Sequence, residues 1–118
     1  MDQVLLIDDN PTQLRVRETV LRDAGIRVSI ATTAESALAL LRTQGQLFGV
    51  IVTDHVLPGA SGADFVRELR SVNSEIPVIV VSGMAEAEEE YEGLNVAFRQ
   101  KPLPPAELIA LVLSSLAA

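Results

Sequence analysis

An α/β domain built on a doubly wound parallel sheet is predicted by three features of the chain. Short apolar runs without in/out alternation recur along it, as strands buried on both faces require. Amphipathic stretches with start signals stand between them, so strand and helix alternate. The runs also end in side chains that carry chemistry: Asp8 and Asp9, Asp54, Ser82 and Lys101. Parallel strands joined by right-handed crossovers place their carboxyl ends along one edge of the sheet, where ligands bind in open α/β folds. These residues, far apart in sequence, are therefore expected to meet.

Val4-Leu5-Leu6-Ile7 is the first strand, and Asp8-Asp9 follows it at once. Asn10-Pro11 reads as an N-cap followed by proline at the first helical position. The helix runs to about Asp23, with Leu14, Val20, Leu21 and Ala24 for the core and Gly25 as the stop. Val28-Ser29-Ile30-Ala31 is a more polar strand, suited to a sheet edge. Thr32 and Glu35 have capping-box spacing, and Ala34, Ala37, Leu38 and Leu41 recur behind them at helical intervals. The central strand is Val50-Ile51-Val52-Thr53-Asp54, with the turn Leu57-Pro58-Gly59 after it. Ser61 and Asp64 start a helix whose buried stripe is Phe65, Val66 and Leu69. Pro77 opens the run Val78-Ile79-Val80-Val81, which ends in Ser82-Gly83. Residues 85–94 carry Ala87, Tyr91 and Leu94 at i, i+4, i+7, but glutamates crowd the remaining positions. Val96-Ala97-Phe98-Arg99 is the last strand, closed by Lys101-Pro102. Pro104-Pro105 begins a final helix with Leu108, Leu111, Val112 and Leu116 on its apolar face.

Composition narrows the function classes. A chain of 118 residues suggests one domain over 1–118 with no effector domain, and 48% hydrophobic residues fit a folded globule. No apolar run approaches the roughly 20 residues of a membrane span, and Met1-Asp2-Gln3 shows no signal-peptide pattern, so a cytoplasmic protein is expected. Without cysteine there is no disulfide, thiolate catalysis or zinc–thiolate site. A net charge of −7 argues against direct binding of nucleic acid and favours basic partners or a metal ion.

Three carboxylates drawn together repel, and a cation or a proton must relieve them. Oxygen ligands without His or Cys at ligand spacing select a hard divalent ion, magnesium or manganese. Lys101 supplies a positive charge suited to phosphate, and Ser82 supplies a hydroxyl donor. A carboxylate among these groups is equipped to attack phosphorus and hold it as an acyl phosphate. Asp54, on the central strand before a tight turn, is the natural nucleophile.

Asp8-Asp9, Asp54 with Leu57-Pro58-Gly59 and Gly62, Ser82-Gly83, and Lys101-Pro102 stand in order at strand ends. This set resembles the receiver domain of two-component response regulators, over the whole chain from Val4. The resemblance implies a flavodoxin-like (βα)5 fold with strand order 2-1-3-4-5. It implies that a histidine kinase or phosphotransfer domain donates a phosphoryl group to Asp54, with magnesium required. By the same resemblance Asp9, Asp54 and the main-chain carbonyl of Val56 bind the metal, and Asp8 acts through water. Lys101 pairs with the phosphoryl group, Ser82 moves in to bond it, and Phe98, at the aromatic switch position, repacks. A downstream effector is implied but not named, and a weak homodimer is allowed. The wording Ser82-Gly83 and Gln100-Lys101-Pro102 looks most like receivers of hybrid histidine kinases.

The chain departs from that pattern in three places. Phe98 has no hydroxyl, so a switch there works by packing alone. The span from Ser82 to Lys101 is short, which suggests a curtailed fourth helix and weakens the expectation of an output surface there. Val56 and Met84 flank the acceptor with apolar side chains that cannot orient an attacking water, so slow self-dephosphorylation is expected. Taken singly, Asp8 and Asp9 could be acids favoured by the next helix dipole, Ser82 a turn cap and Lys101 a solvated lysine. Phe98 could be core filler, the glutamates of 86–92 a solvated face, and His55, the only histidine, a polar side chain on the loop rim. The rival functions are a degenerate receiver that binds partners without phosphorylation, an aspartyl phosphatase, and a flavin-binding domain. Val56 stands where such a phosphatase needs an acid, and Asp8-Asp9-Asn10-Pro11 stands where the flavin domain needs a phosphate loop.

Overall fold

The computed structural model describes residues 2–117. Five parallel strands form the sheet: β1 (Gln3–Ile7), β2 (Arg27–Ala31), β3 (Phe48–Asp54), β4 (Val78–Ser82) and β5 (Ala97–Gln100). Their order across the sheet is β2-β1-β3-β4-β5, every pair parallel, as expected. Helices α1 (Pro11–Asp23) and α4 (Pro105–Ala117) belong to one side, α2 (Ala34–Gln44) and α3 (Gly62–Val72) to the other. A two-stranded hairpin, Val56–Leu57 with Ala60–Ser61, links β3 to α3.

The absence of in/out alternation now has its explanation. Leu5, Ile7, Ile51, Val78 and Val80 pack into the core beneath α2 and α3, while Val4, Leu6, Val50, Val52, Ile79 and Val81 pack into the core beneath α1 and α4. Both faces of the three central strands are dry, so successive side chains are all apolar although they point in opposite directions. Each such fully buried side chain contributes about 1.5–3 kcal/mol. The sheet is therefore a rigid floor for whatever its strand ends carry.

Local signals set the helix boundaries. The Asn10 side chain accepts from the N–H groups of Thr12 and Gln13, with Pro11 at the first helical position. At the other end of α1, Gly25 takes φ +81°, and the N–H groups of Gly25 and Ile26 donate to the carbonyls of Arg22 and Leu21. This is a Schellman stop with the buried pair Leu21 and Ile26 as its apolar contact. Ser61 and Asp64 cap α3 reciprocally, as their spacing predicts.

Several expectations need correction. The cap of α2 lies one residue later than expected: Thr33 pairs with Ser36, not Thr32 with Glu35, and Ala34 enters the helix as a buried residue. Strand β5 starts at Ala97 rather than Val96, and Ala24 is exposed because the Schellman turn swings it outward. The segment Ala85–Tyr91 is not an α-helix but successive 3-10 turns, with Ala87 and Tyr91 buried. In an α-helix Glu86 would face Glu89 and Glu90, and Glu88 would face Glu92, and repulsion between them disfavours that helix. The fourth helix is thus replaced rather than merely shortened. No described helix is long and apolar enough to cross a membrane.

Candidate functional site

The strand ends converge as the topology requires. Asp54, 7% exposed, ends β3, and its Oδ2 lies 2.8 Å from Lys101 Nζ in the loop after β5. Its Oδ1 accepts from the main-chain N–H of His55 at 2.8 Å. Lys101 is held from two sides: its N–H donates to the Ser82 carbonyl (2.7 Å) and its ammonium also donates to Gln13 Oε1 (3.0 Å). The Lys101–Pro102 peptide is cis. Both oxygens of Asp54 are therefore engaged by donors that also suit a phosphoryl group.

Asp8, at the end of β1, is fully buried. Its Oδ1 accepts from the Asn10 N–H (2.9 Å) and its Oδ2 from Arg17 Nη1 (3.2 Å). Burial pushes this carboxyl above the ordinary carboxylate range and the nearby Asp54 charge adds to the rise, against the pull of the Asn10 N–H, Arg17 and Lys101. Asp8 and Asp54 are thus close enough to repel. Asp9 is exposed, one residue beyond. Among the described residues no three His, Cys, Asp or Glu side chains are gathered as a ready-made metal cage. A strained pair of buried carboxylates fits a hard cation that keeps most of its waters, magnesium more than calcium.

Ser82 is buried at the end of β4, but its hydroxyl accepts from the Met84 N–H at 3.0 Å instead of reaching Asp54. The side chains of Val56, 60% exposed, and Met84 stand at the rim, as expected. His55 is not a rim residue. It is buried beneath the hairpin, with Nδ1 2.7 Å from the Tyr91 hydroxyl and Nε2 3.4 Å from Glu90 Oε2. Burial pushes the Tyr91 phenol upward, so it keeps its proton at neutral pH. With Nε2 facing the Glu90 carboxylate, the network assigns the ring proton to Nε2, and the Tyr91 hydroxyl donates to Nδ1. Phe98 is half-buried, its ring 5.8 Å from that of Tyr91.

Sequence reasoning missed Gln13 and Arg17. They sit four residues apart on α1, hence on one helix face, and that face is turned toward the acids. The signal in the chain is a polar pair at i and i+4 on an otherwise amphipathic helix. It also missed the pairing of His55 with Tyr91, which rests on contact across 36 residues.

Comparison with known proteins agrees with this architecture. The family model described as "Response regulator receiver domain" matches residues 4–113. A 14.6 kDa protein of Leptolyngbya boryana is 30% identical, over 92% of this chain and 86% of its own length. The probable transcriptional regulatory protein TcrX of Mycobacterium tuberculosis is 31% identical over 90% of this chain, which spans only 46% of that protein. Among solved structures, a response regulator receiver protein from Pseudomonas putida superposes with a TM-score of 0.87 at 32% identity, covering 95% of both chains. The receiver domain of the Francisella response regulator 1452 gives 0.88 at 28% identity, over 99% of this chain and 98% of its own. Sequence match and superposition both run over nearly the whole length, and the chain belongs to the response regulator receiver domain family of two-component systems.

Proposed function

We propose that Asp54 is the phosphoacceptor of a phosphorylation-operated switch, charged by a histidine kinase or phosphotransfer domain in the cytoplasm. An Asp54 carboxylate oxygen attacks phosphorus of a phosphohistidine; the P–O bond forms, the P–N bond breaks, and the departing imidazole nitrogen takes up a proton. The observation that carries this reading is the 2.8 Å contact between Lys101 Nζ and Asp54 Oδ2, made across 47 residues beside buried Asp8. Lys101 offsets the charge of the arriving phosphoryl group, and Gln13 aims its ammonium. The His55 N–H holds the other carboxylate oxygen, so the acceptor is oriented before the donor arrives.

The residues suited to hold a divalent ion are Asp9, Asp54 and the Val56 main-chain carbonyl, with Asp8 acting through water. When bound, magnesium would offset the crowded negative charge and accept a phosphoryl oxygen. Ser82 would complete the phosphoryl contacts by leaving Met84, a single side-chain rotation.

Incubation with a small acyl-phosphate donor, with and without magnesium, tests the proposal by intact mass and peptide mapping. One phosphoryl group on Asp54, dependent on magnesium and absent from Asp54→Asn, is the expected result. Label on another side chain, or equal labelling of Asp54→Asn, would overturn it.

A further inference from the structure

Tyr91 and His55 form a buried polar pair inside an apolar region, and the phosphoacceptor site does not use their side chains. The pair sits at the centre of a connected set. The His55 N–H donates to Asp54 Oδ1 at 2.8 Å, and its carbonyl accepts from the Gly62 N–H. Its ring meets Tyr91 edge-on, with centroids 5.6 Å apart, and Tyr91 in turn lies against Phe98. Space around the pair is closed: a Cβ on Gly62 would lie 2.5 Å from the Tyr91 hydroxyl and 2.7 Å from the Asp54 carbonyl.

The segment that carries Tyr91 is otherwise weakly attached. Within Ala85–Tyr91 only Ala87 and Tyr91 are buried; the glutamates are exposed, Glu90 alone of them reaching the His55 ring with its carboxylate. Arg67 donates to the Glu90 carbonyl at an exposed site, and Arg70 fixes the following turn through the Leu94 and Asn95 carbonyls. Tyr91 is thus the anchor that ties the segment to the site. If the two part company, the buried hydroxyl and the buried Nδ1 each lose this 2.7 Å hydrogen bond, so the two move together.

We propose that the His55–Tyr91 hydrogen bond couples the state of Asp54 to the position of the Ala85–Tyr91 segment, with His55 as the positioning residue. This deepens the phosphoacceptor reading and rests on it. Converting the carboxylate to an acyl phosphate weakens Oδ1 as an acceptor for the His55 N–H and adds charge beside it. The shift passes from the His55 backbone to its ring, then to the Tyr91 hydroxyl and the Phe98 ring. Phe98 has no hydroxyl to take part, so the buried polar link runs through Tyr91, with the half-exposed Glu90 carboxylate 3.4 Å from His55 Nε2 as a weaker contact beside it.

The chain has one tyrosine, one histidine and no tryptophan, so tyrosine emission and the imidazole NMR signals report on this pair directly. The test follows amide shifts of wild type and Tyr91→Phe before and after acyl-phosphate treatment, with phosphoryl incorporation measured in parallel. Tyr91→Phe should be labelled on Asp54 at a rate within about twofold of wild type. Its response at Ala85–Tyr91 should fall below about half of the wild-type response while the response around Asp8 and Lys101 persists. His55→Gln, which keeps an acceptor for the hydroxyl, should restore more of the response than His55→Leu. Should Tyr91→Phe fail to fold, wild-type tyrosine emission decides: a change on phosphorylation supports the coupling, and no change overturns it. An undiminished response in folded Tyr91→Phe overturns it as well. Failure to label Asp54 in wild type would instead overturn the phosphoacceptor reading.

Discussion

Replacing Gly62 by alanine should destabilise the protein, against the usual effect of that substitution in a helix. In a helix interior glycine costs about 0.5–1 kcal/mol relative to alanine, so propensity alone predicts a gain. Gly62, however, is the first residue of α3, buried against the acceptor loop. The added methyl would stand 2.5 Å from the Tyr91 hydroxyl, 2.7 Å from the Asp54 carbonyl oxygen and 3.0 Å from the His55 Cα. Two of those three atoms are backbone, so no side-chain rotation clears them. Overpacking of this kind costs about 1–3 kcal/mol, and displacing the Tyr91 hydroxyl from His55 adds about 1–3 kcal/mol for the unmade hydrogen bond. Steric cost exceeds propensity, and a net loss of about 2–4 kcal/mol is expected. For a chain of 118 residues this is a fall in Tm of about 10 °C or more. Urea unfolding followed by circular dichroism measures it. Gly45→Ala is the control, since nothing lies within 4 Å of its Cβ and the residue is already helical, and it should be neutral or slightly stabilising. If Gly62→Ala proved as stable as wild type, the closeness of α3, Tyr91 and the acceptor loop would be refuted.

Other perturbations test separate parts of the site. Asp8 titrates above its ordinary value in the fold, so between the two values the folded protein binds more protons than the unfolded chain, and stability falls as pH rises through that window. Asp8→Asn should therefore be more stable than wild type near neutral pH, with the advantage narrowing toward about pH 4; a gap that widens on acidification would refute it. Lys101→Met removes the charge that meets Asp54 Oδ2 and should slow phosphorylation by acyl phosphate about 10-fold or more, with Lys101→Arg a poor substitute because the ammonium also fits Gln13. Exposed Val56 cannot orient water, so the phosphorylated protein should lose its label slowly, and Val56→Asn should speed the loss about 10-fold; loss within seconds from wild type would contradict this. Arg70 donates to the carbonyls of Asn73, Ile76, Leu94 and Asn95, and Arg70→Ala should cost about 2–4 kcal/mol in urea unfolding.

Legibility in the chain followed the range of the interactions. The cap of α1 at Asn10 and the reciprocal cap of Ser61 with Asp64 are contacts within three residues, and both were readable. The cap of α2 lies one residue beyond its expected place: Thr32 and Thr33 are adjacent and equally able, and only the burial of Ala34 decides between them. Residues 85–94 carried a helical apolar pattern, yet repulsion among the glutamates and the pull of Tyr91 toward His55 left 3-10 turns. His55 looked like a surface residue because no partner histidine exists, and its actual partner is a phenol 36 residues away.

What the amino-acid order determined by itself was the alternation of strand and helix, and with it the edge at which Asp8, Asp54, Ser82 and Lys101 end their strands or the loop beyond. Apolar periodicity and caps are local, and parallel crossovers have one hand, so those positions follow without knowledge of any contact. Only the folded chain decided which atoms touch there: Lys101 and not Ser82 on Asp54, Arg17 on Asp8, Tyr91 on His55. Such choices depend on side-chain reach and burial between distant elements, where one rotation or one turn of helix changes the partner, and no local pattern records them.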